Sequence, residues 1–201
     1  MQHTAPHAIS DEALDTIFRA ARTHNKWSDK PVSDALIMAV YDMMRWGPTA
    51  ANTSTARFRF LTSPEAKARL KPLLHEGNRE KTMQAPVVAI IGYDLDFPVH
   101  LPRLFPAVPN LKDNFTGKPE LTQTVAIRNG SLQGAYFIIA ARALGLDCGP
   151  MSGFDNDGVD KEFFAGTNIK SNFLCAVGHG EPSAVYPRGP RLSFDEACQI
   201  L

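Results

Sequence analysis

Pro86-Val87-Val88-Ala89-Ile90-Ile91-Gly92-Tyr93 is a continuous apolar run rich in Val and Ile. Such a run, with no polar alternation, predicts a strand covered on both faces and therefore central in a sheet. Upstream, Phe58 and Phe60 alternate with Arg57 and Arg59 as a second strand. Ser10 caps a first helical pattern with Leu14, Ile17, Phe18 and Ala21 on one face. Ser33 caps a second, apolar at Leu36, Ile37, Val40, Met43 and Met44 and stopped by Gly47-Pro48. Ser63-Pro64-Glu65 opens a third, limited by Pro72. Downstream, residues 121–146 form the strongest helical pattern, apolar at Val125, Leu132, Tyr136, Ile139, Ala143 and Leu144. That helix belongs at the centre of the fold or in a dimer interface. Residues 159–164 read as a short helix, 172–178 as a strand, and Ser193-Phe194-Asp195-Glu196 has capping-box spacing. The fold class is α+β, one domain over residues 1–201. Residues 94–120 hold five prolines and little periodicity. They read as a long excursion, the usual form of a functional lid or of a disordered segment.

The chain has 201 residues, 44% of them apolar, with Lys+Arg and Asp+Glu balanced at 21 each. Zero net charge argues against a general nucleic-acid or membrane-surface binder, which needs a basic excess. The three cysteines, Cys148, Cys175 and Cys198, lack CxxC spacing. That fits a reducing, cytoplasmic compartment rather than a disulfide framework or zinc site. The N-terminus has no apolar signal core, and the apolar run at residues 137–141 is broken by Arg142, far short of a membrane span. Gly178-His179-Gly180 lacks the third glycine of a dinucleotide fingerprint, and no GxxxxGK[ST], HExxH or GxSxG occurs. His3 and His7, four apart, lie in a tail where a metal site is not expected.

Five polar segments remain. Gly149-Pro150-Met151-Ser152-Gly153-Phe154-Asp155 reads as bare, tightly turned backbone able to approach a flat ligand, with a helix C-cap and turn as the plain alternative. Arg22-Thr23-His24-Asn25-Lys26-Trp27 clusters cations and amides where an anion can dock, or else where cations suit a helix C-terminus. Trp46-Gly47-Pro48-Thr49-Ala50-Ala51-Asn52 is either a binding loop or a helix stop. In Gly77-Asn78-Arg79-Glu80-Lys81, Asn78 and Lys81 share a helical face. Pro187-Arg188-Gly189-Pro190-Arg191 presents two guanidinium forks suited to phosphate, or is a solvated basic loop. Phosphate partners, amides for a polar ring edge and bare backbone for a ring face are together what a flavin mononucleotide requires.

The ordered set of Arg22-Thr23, Asp29-Lys30-Pro31-Val32, Gly47-Pro48-Thr49 with Asn52, Asn78 with Lys81, residues 150–155, and Arg188 with Arg191 resembles the FMN-dependent nitroreductase family over nearly the whole chain. Within it, Arg22-Thr23-His24-Asn25 with Trp27, Leu101-Pro102-Arg103-Leu104-Phe105-Pro106 and residues 149–155 look closest to the malonic semialdehyde reductases of pyrimidine degradation. The resemblance implies a mostly antiparallel central sheet flanked by helices, in an intertwined homodimer with FMN at the subunit interface and NADH or NADPH as co-substrate. It implies that Arg22, Arg188 and Arg191 hold the phosphate, and that Thr23 and Asn25 meet the ribityl chain or ring edge. Asn78 and Lys81 would meet the pyrimidine end. Pro150, Met151, Ser152 and Gly153 would line the ring, with an N–H of Ser152 or Gly153 near flavin N5. Pro48, Thr49, Ala50 and Asn52 would come from the other subunit. No side chain is expected to act as a chemical catalyst, because flavin N5 carries the hydride, and no metal is expected. Asn25 stands where many members have a basic residue, and Ala50 where Ser is frequent. Arg103 is the candidate for a substrate carboxylate. The reaction expected is reduction of malonic semialdehyde to 3-hydroxypropanoate. The alternatives are a broad nitro- or quinone reductase, a flavin protein without catalysis, and a ligand-free interaction module.

Overall fold

The computed structural model describes residues 7–201, so His3 lies outside the described residues. Four strands form one antiparallel sheet: β1 (Ala56–Leu61), β2 (Val87–Asp94), β3 (Asp147–Met151) and β4 (Ile169–Gly178), in the order β1-β2-β4-β3. As its composition predicts, β2 is an inner strand and all of its residues are buried. The pleat sends Val87, Ala89 and Ile91 into one core and Val88 and Ile90 into another. Each Val or Ile among them taken out of water contributes about 1.5–3 kcal/mol.

The first core is closed by α2 (Asp34–Met44), through Ile37, Val40 and Met44, and by α6 (Pro119–Ala143). The second lies under α3 (Pro64–Leu70), α4 (Glu76–Gln84) and α7 (Asn156–Phe163), with Leu70, Leu74 and Val159 fully buried. Ser10, Ser33 and Ser63 accept the capping bonds that the sequence predicts, and Ser193 forms its capping box at α8 (Phe194–Ala197). The first helix, α1 (Asp11–Leu14), runs into a π-helical turn at Asp15–Arg19, and neither buries a residue.

Two expectations are corrected. The buried stripe of α6 is Ala126, Asn129, Gly130, Gln133, Gly134, Phe137, Ala140 and Ala141, not the larger residues expected to define its apolar face. Small residues win because the helix lies close on the sheet. A Cβ on Gly134 would stand 2.5 Å from the Phe173 ring, and one on Gly130 2.9 Å from Tyr93 Cβ. Residues 94–120 are not a bare excursion. They carry the short turns Phe97–His100 and Leu111–Phe115 and the helix α5 (Leu101–Leu104), packed around buried Phe97, Leu101 and Ala126. Among the described residues no helix is long and apolar enough to cross a membrane, and no cluster of His, Cys, Asp or Glu could hold a metal.

Candidate functional site

The glycine-proline stretch that looks like a tight turn begins as strand: residues 147–151 pair with β4, and α6 ends at Ala143. Gly149 serves packing there. A Cβ on it would lie 2.5 Å from His24 O, because residues 22–27 run as an extended strip beside β3. Thr23 bridges Cys148 in parallel, His24 N donates to Cys148 O at 3.1 Å, and Trp27 bridges Gly180. The strip therefore is not a helix C-terminus, and its cations are not there to complement a helix dipole. His24 is buried, with Nε2 3.3 Å from Asp147 Oδ1, while Asp147 Oδ2 accepts from Gly180 N at 2.8 Å. Trp27 Nε1 donates to Lys81 O at 3.1 Å and fastens the strip to α4.

On α4, Asn78 and Lys81 stand one turn apart. Asn78 Nδ2 donates to Gly153 O at 2.8 Å, and His75 N donates to the same carbonyl at 3.1 Å. Phe154 N donates to Ser152 O at 3.1 Å in a three-residue turn. In a trans peptide the C=O and the next N–H point opposite ways, so the Gly153 N–H faces away from that turn. A Cβ on Gly153 would sit 2.6 Å from Asn78 Nδ2 and 3.1 Å from His75 Nδ1, so a side chain there displaces the amide that holds the turn. Asp155 caps α7 by accepting from Gly158 N. Burial lowers the Lys81 pKa from its ordinary 10.5, so this ammonium sits where a neighbouring negative charge would be favoured.

Two hollows meet along this rim, of about 440 Å³ and about 540 Å³. The first is lined by Lys81, Lys26 and Gly77, the second by Arg22, Thr23, Arg142, Arg188 and Arg191. Asn25 and Tyr186 border both, so the two are one groove. Its guanidiniums brace backbone carbonyls. Arg22 Nη2 donates to Tyr186 O, Arg188 Nη2 to Arg19 O (2.8 Å) and Ala21 O (3.0 Å), and Arg191 Nη1 to Gly189 O (2.9 Å). No acidic residue lines the arginine end. Arg142 and Tyr186 escape the sequence reading. Arg142 there only interrupts an apolar run, although a lone cation closing an apolar helix is itself a signal.

Pro48, Asn52 and Arg103 line a different hollow of about 400 Å³. Thr49 and Ala50 belong to the same loop. Ala50 N donates to Asn129 Oδ1 at 2.8 Å, Tyr136 OH to Pro48 O at 3.0 Å, and Ser54 N to Thr49 Oγ1 at 3.2 Å. Asn52 Nδ2 donates to Leu104 O at 2.8 Å, which ties the loop to α5. Ala51, Asn52 and Ser54 all have positive φ (47°, 51° and 44°). Pro150 is half-buried in β3, and Met151 is buried, with Sδ accepting from Thr82 Oγ1. Within one chain, then, Arg22, Thr23, Asn25, Lys81, Arg188 and Arg191 converge. Asn78, Ser152 and Gly153 adjoin them, and residues 48–52 with Arg103 stand apart.

This fold is that of a known class. The Nitroreductase family matches residues 5–180, and the chain belongs to that family. A relative from Stenotrophomonas maltophilia, provisionally named NADH dehydrogenase/NAD(P)H nitroreductase, is 61% identical over 194 residues, covering 96% of this chain and 98% of its own. Among solved structures, a provisionally named nitroreductase from Bacillus subtilis superimposes with a TM-score of 0.85 at 17% identity, covering 94% of this chain and 99% of its own. One from Exiguobacterium sibiricum, solved in complex with FMN, gives 0.82 at 17% identity, covering 98% of this chain and 100% of its own.

Proposed function

We propose that this chain is an NAD(P)H-dependent FMN oxidoreductase, acting as a homodimer, whose acceptor is malonic semialdehyde. The observation that carries the reading is the single groove with Arg22, Arg188 and Arg191, which meet no carboxylate among the described residues, at one end and the Asn78–Lys81 turn at the other. Its donors fit FMN: guanidinium forks suit a phosphate, Asn25 and Asn78 suit a polar ring edge, and the Gly153 N–H, turned away from its own turn, suits an acceptor on the ring. FMN would supply a two-electron hydride carrier that NAD(P)H and the acceptor use in turn from one open face. Arg22, Arg188 and Arg191 hold the phosphate, with Thr23 and Asn25 along the ribityl chain. Lys81 and the Gly153 N–H face negative charge at the ring. Pro150 and Met151 carry that N–H into place from β3.

Pro48, Thr49, Ala50 and Asn52 close the partner's groove in this reading, because on their own chain they stand apart from it. Arg103 lines the same hollow as Pro48 and Asn52 and takes the carboxylate of 3-oxopropanoate. Residues 94–120 then act as a cover rather than a mobile lid, since they have a core of their own. The proton count is simple: hydride adds to the aldehyde carbon, and a proton from water completes 3-hydroxypropanoate. A broad nitro- or quinone reductase is the second reading, favoured by the openness of the groove.

The test is the visible spectrum of the purified protein, then anaerobic mixing with NADH and with NADPH, then kcat/KM for malonic semialdehyde, a nitroaromatic and a quinone. Bleaching of the flavin and preference for the aldehyde are expected. Equal turnover of all three acceptors selects the second reading, flavin that never bleaches leaves a carrier, and a protein that stays colourless with added FMN ends the flavin reading.

A further inference from the structure

We propose that Arg142 is a further residue of the anion end, a half-buried guanidinium that takes part in phosphate binding. The inference rests on the flavin reading above. Arg142 closes α6 and lines the same hollow as Arg22, Arg188 and Arg191. Its Nη1 donates to Ile17 O at 3.0 Å, while its Nε–H is buried with no partner. No carboxylate among the described residues pairs with it. Arg57 provides the contrast: it too is largely covered, and Asp94 answers it at 2.6 Å.

A guanidinium N–H withdrawn from water without a partner is costly, and a half-covered guanidinium with no opposite charge beside it is favoured where an anion completes it. The hollow contains no acid to do so. Arg22, Arg188 and Arg191 already spend donors on carbonyls, and Arg19, which also lines the hollow, spends its own on Asp11 and Asp15, which leaves Arg142 to supply a further donor. The anion it suits is a phosphate monoester. A flavin lacking the phosphate gains nothing from it.

The experiment compares FMN and riboflavin binding to flavin-stripped protein by fluorescence quenching, in wild type, Arg142→Met and Arg142→Lys. Arg142→Met is expected to weaken FMN by about tenfold or more, as loss of a charge-assisted bond does, and to leave riboflavin unchanged. Arg142→Lys is expected to recover part of the loss. Inorganic phosphate should raise the melting temperature of wild type and not that of Arg142→Met. An equal loss for both flavins would show that Arg142 only anchors the π-helical turn at Asp15–Arg19 through Ile17, and unchanged FMN affinity would also overturn the proposal. Arg142→Lys keeps the test open if the Met variant does not fold. Failure of wild type to bind FMN would instead sink the flavin reading itself.

Discussion

The two hollows of this chain are built on opposite principles. The arginine groove is made of side chains from distant segments, residues 22–25, 81, 142 and 186–191, and its backbone is relaxed. The hollow at Pro48, Asn52 and Arg103 is made by one short loop whose three positive-φ residues are held by bonds from α6 and to α5. One region stores unanswered charge and the other stores backbone strain. Both are the kinds of local cost that proteins accept at functional sites and recover elsewhere.

The comparison breaks first at the groove. Arg22→Ala with Arg191→Ala should weaken FMN by roughly 100-fold, since each charge-assisted bond contributes about 1.5–3 kcal/mol. The urea midpoint of flavin-free protein should move little, because Arg191 is exposed and Arg22 only half-buried. At the loop the opposite holds. Asn129→Leu strips the partner from the Ala50 N–H and should cost about 1–3 kcal/mol in urea unfolding. A stability loss confined to the groove variants would reverse the distinction.

Arg103→Ala sharpens the division of labour. It should raise KM for malonic semialdehyde about tenfold, the weight of one bond to a charged group, and leave a nitroaromatic unaffected. An unchanged KM removes Arg103 from the substrate site.

Lys81 gives a pH signature. Its pKa in the folded chain is lowered by burial, so between that value and the ordinary 10.5 the unfolded chain holds more protons. Stability of flavin-free protein therefore rises with pH across this window, while FMN affinity falls as the ammonium is lost. Lys81→Met should flatten both trends in alkaline titrations. The smallest effect is at Ala51→Gly. Relief of left-handed strain is largely offset by the added freedom of the unfolded chain, for a net gain under about 1 kcal/mol in thermal melts.

What the sequence made legible follows from how local each signal is. The run at residues 86–93 needs no partner to read as a buried strand, and serine caps announce their helices within one turn. Residues 149–153 misled because Gly-Pro is a turn signal unless a neighbouring strip pairs with it, and His24 supplies that strip from far away in the chain. The buried face of α6 was hidden because glycine and alanine carry little hydropathy, yet closeness to Phe173 and Tyr93 selects them. Within the site, the rim arginines stood out by clustering. Arg142, alone in an apolar helix, has meaning only once the fold sets it beside them.

The Gly153 carbonyl, held from two sides by His75 N and Asn78 Nδ2, has one more consequence. The clamped Gly153–Phe154 unit donates its N–H to Ser152 O and so holds the neighbouring unit, which carries the Gly153 N–H, in one orientation whether or not a ring lies against it. Its dipole is set when the chain folds, so little reorganisation remains to be done at each turnover. Loosening Asn78 should therefore slow the chemical step more than it weakens ligand capture.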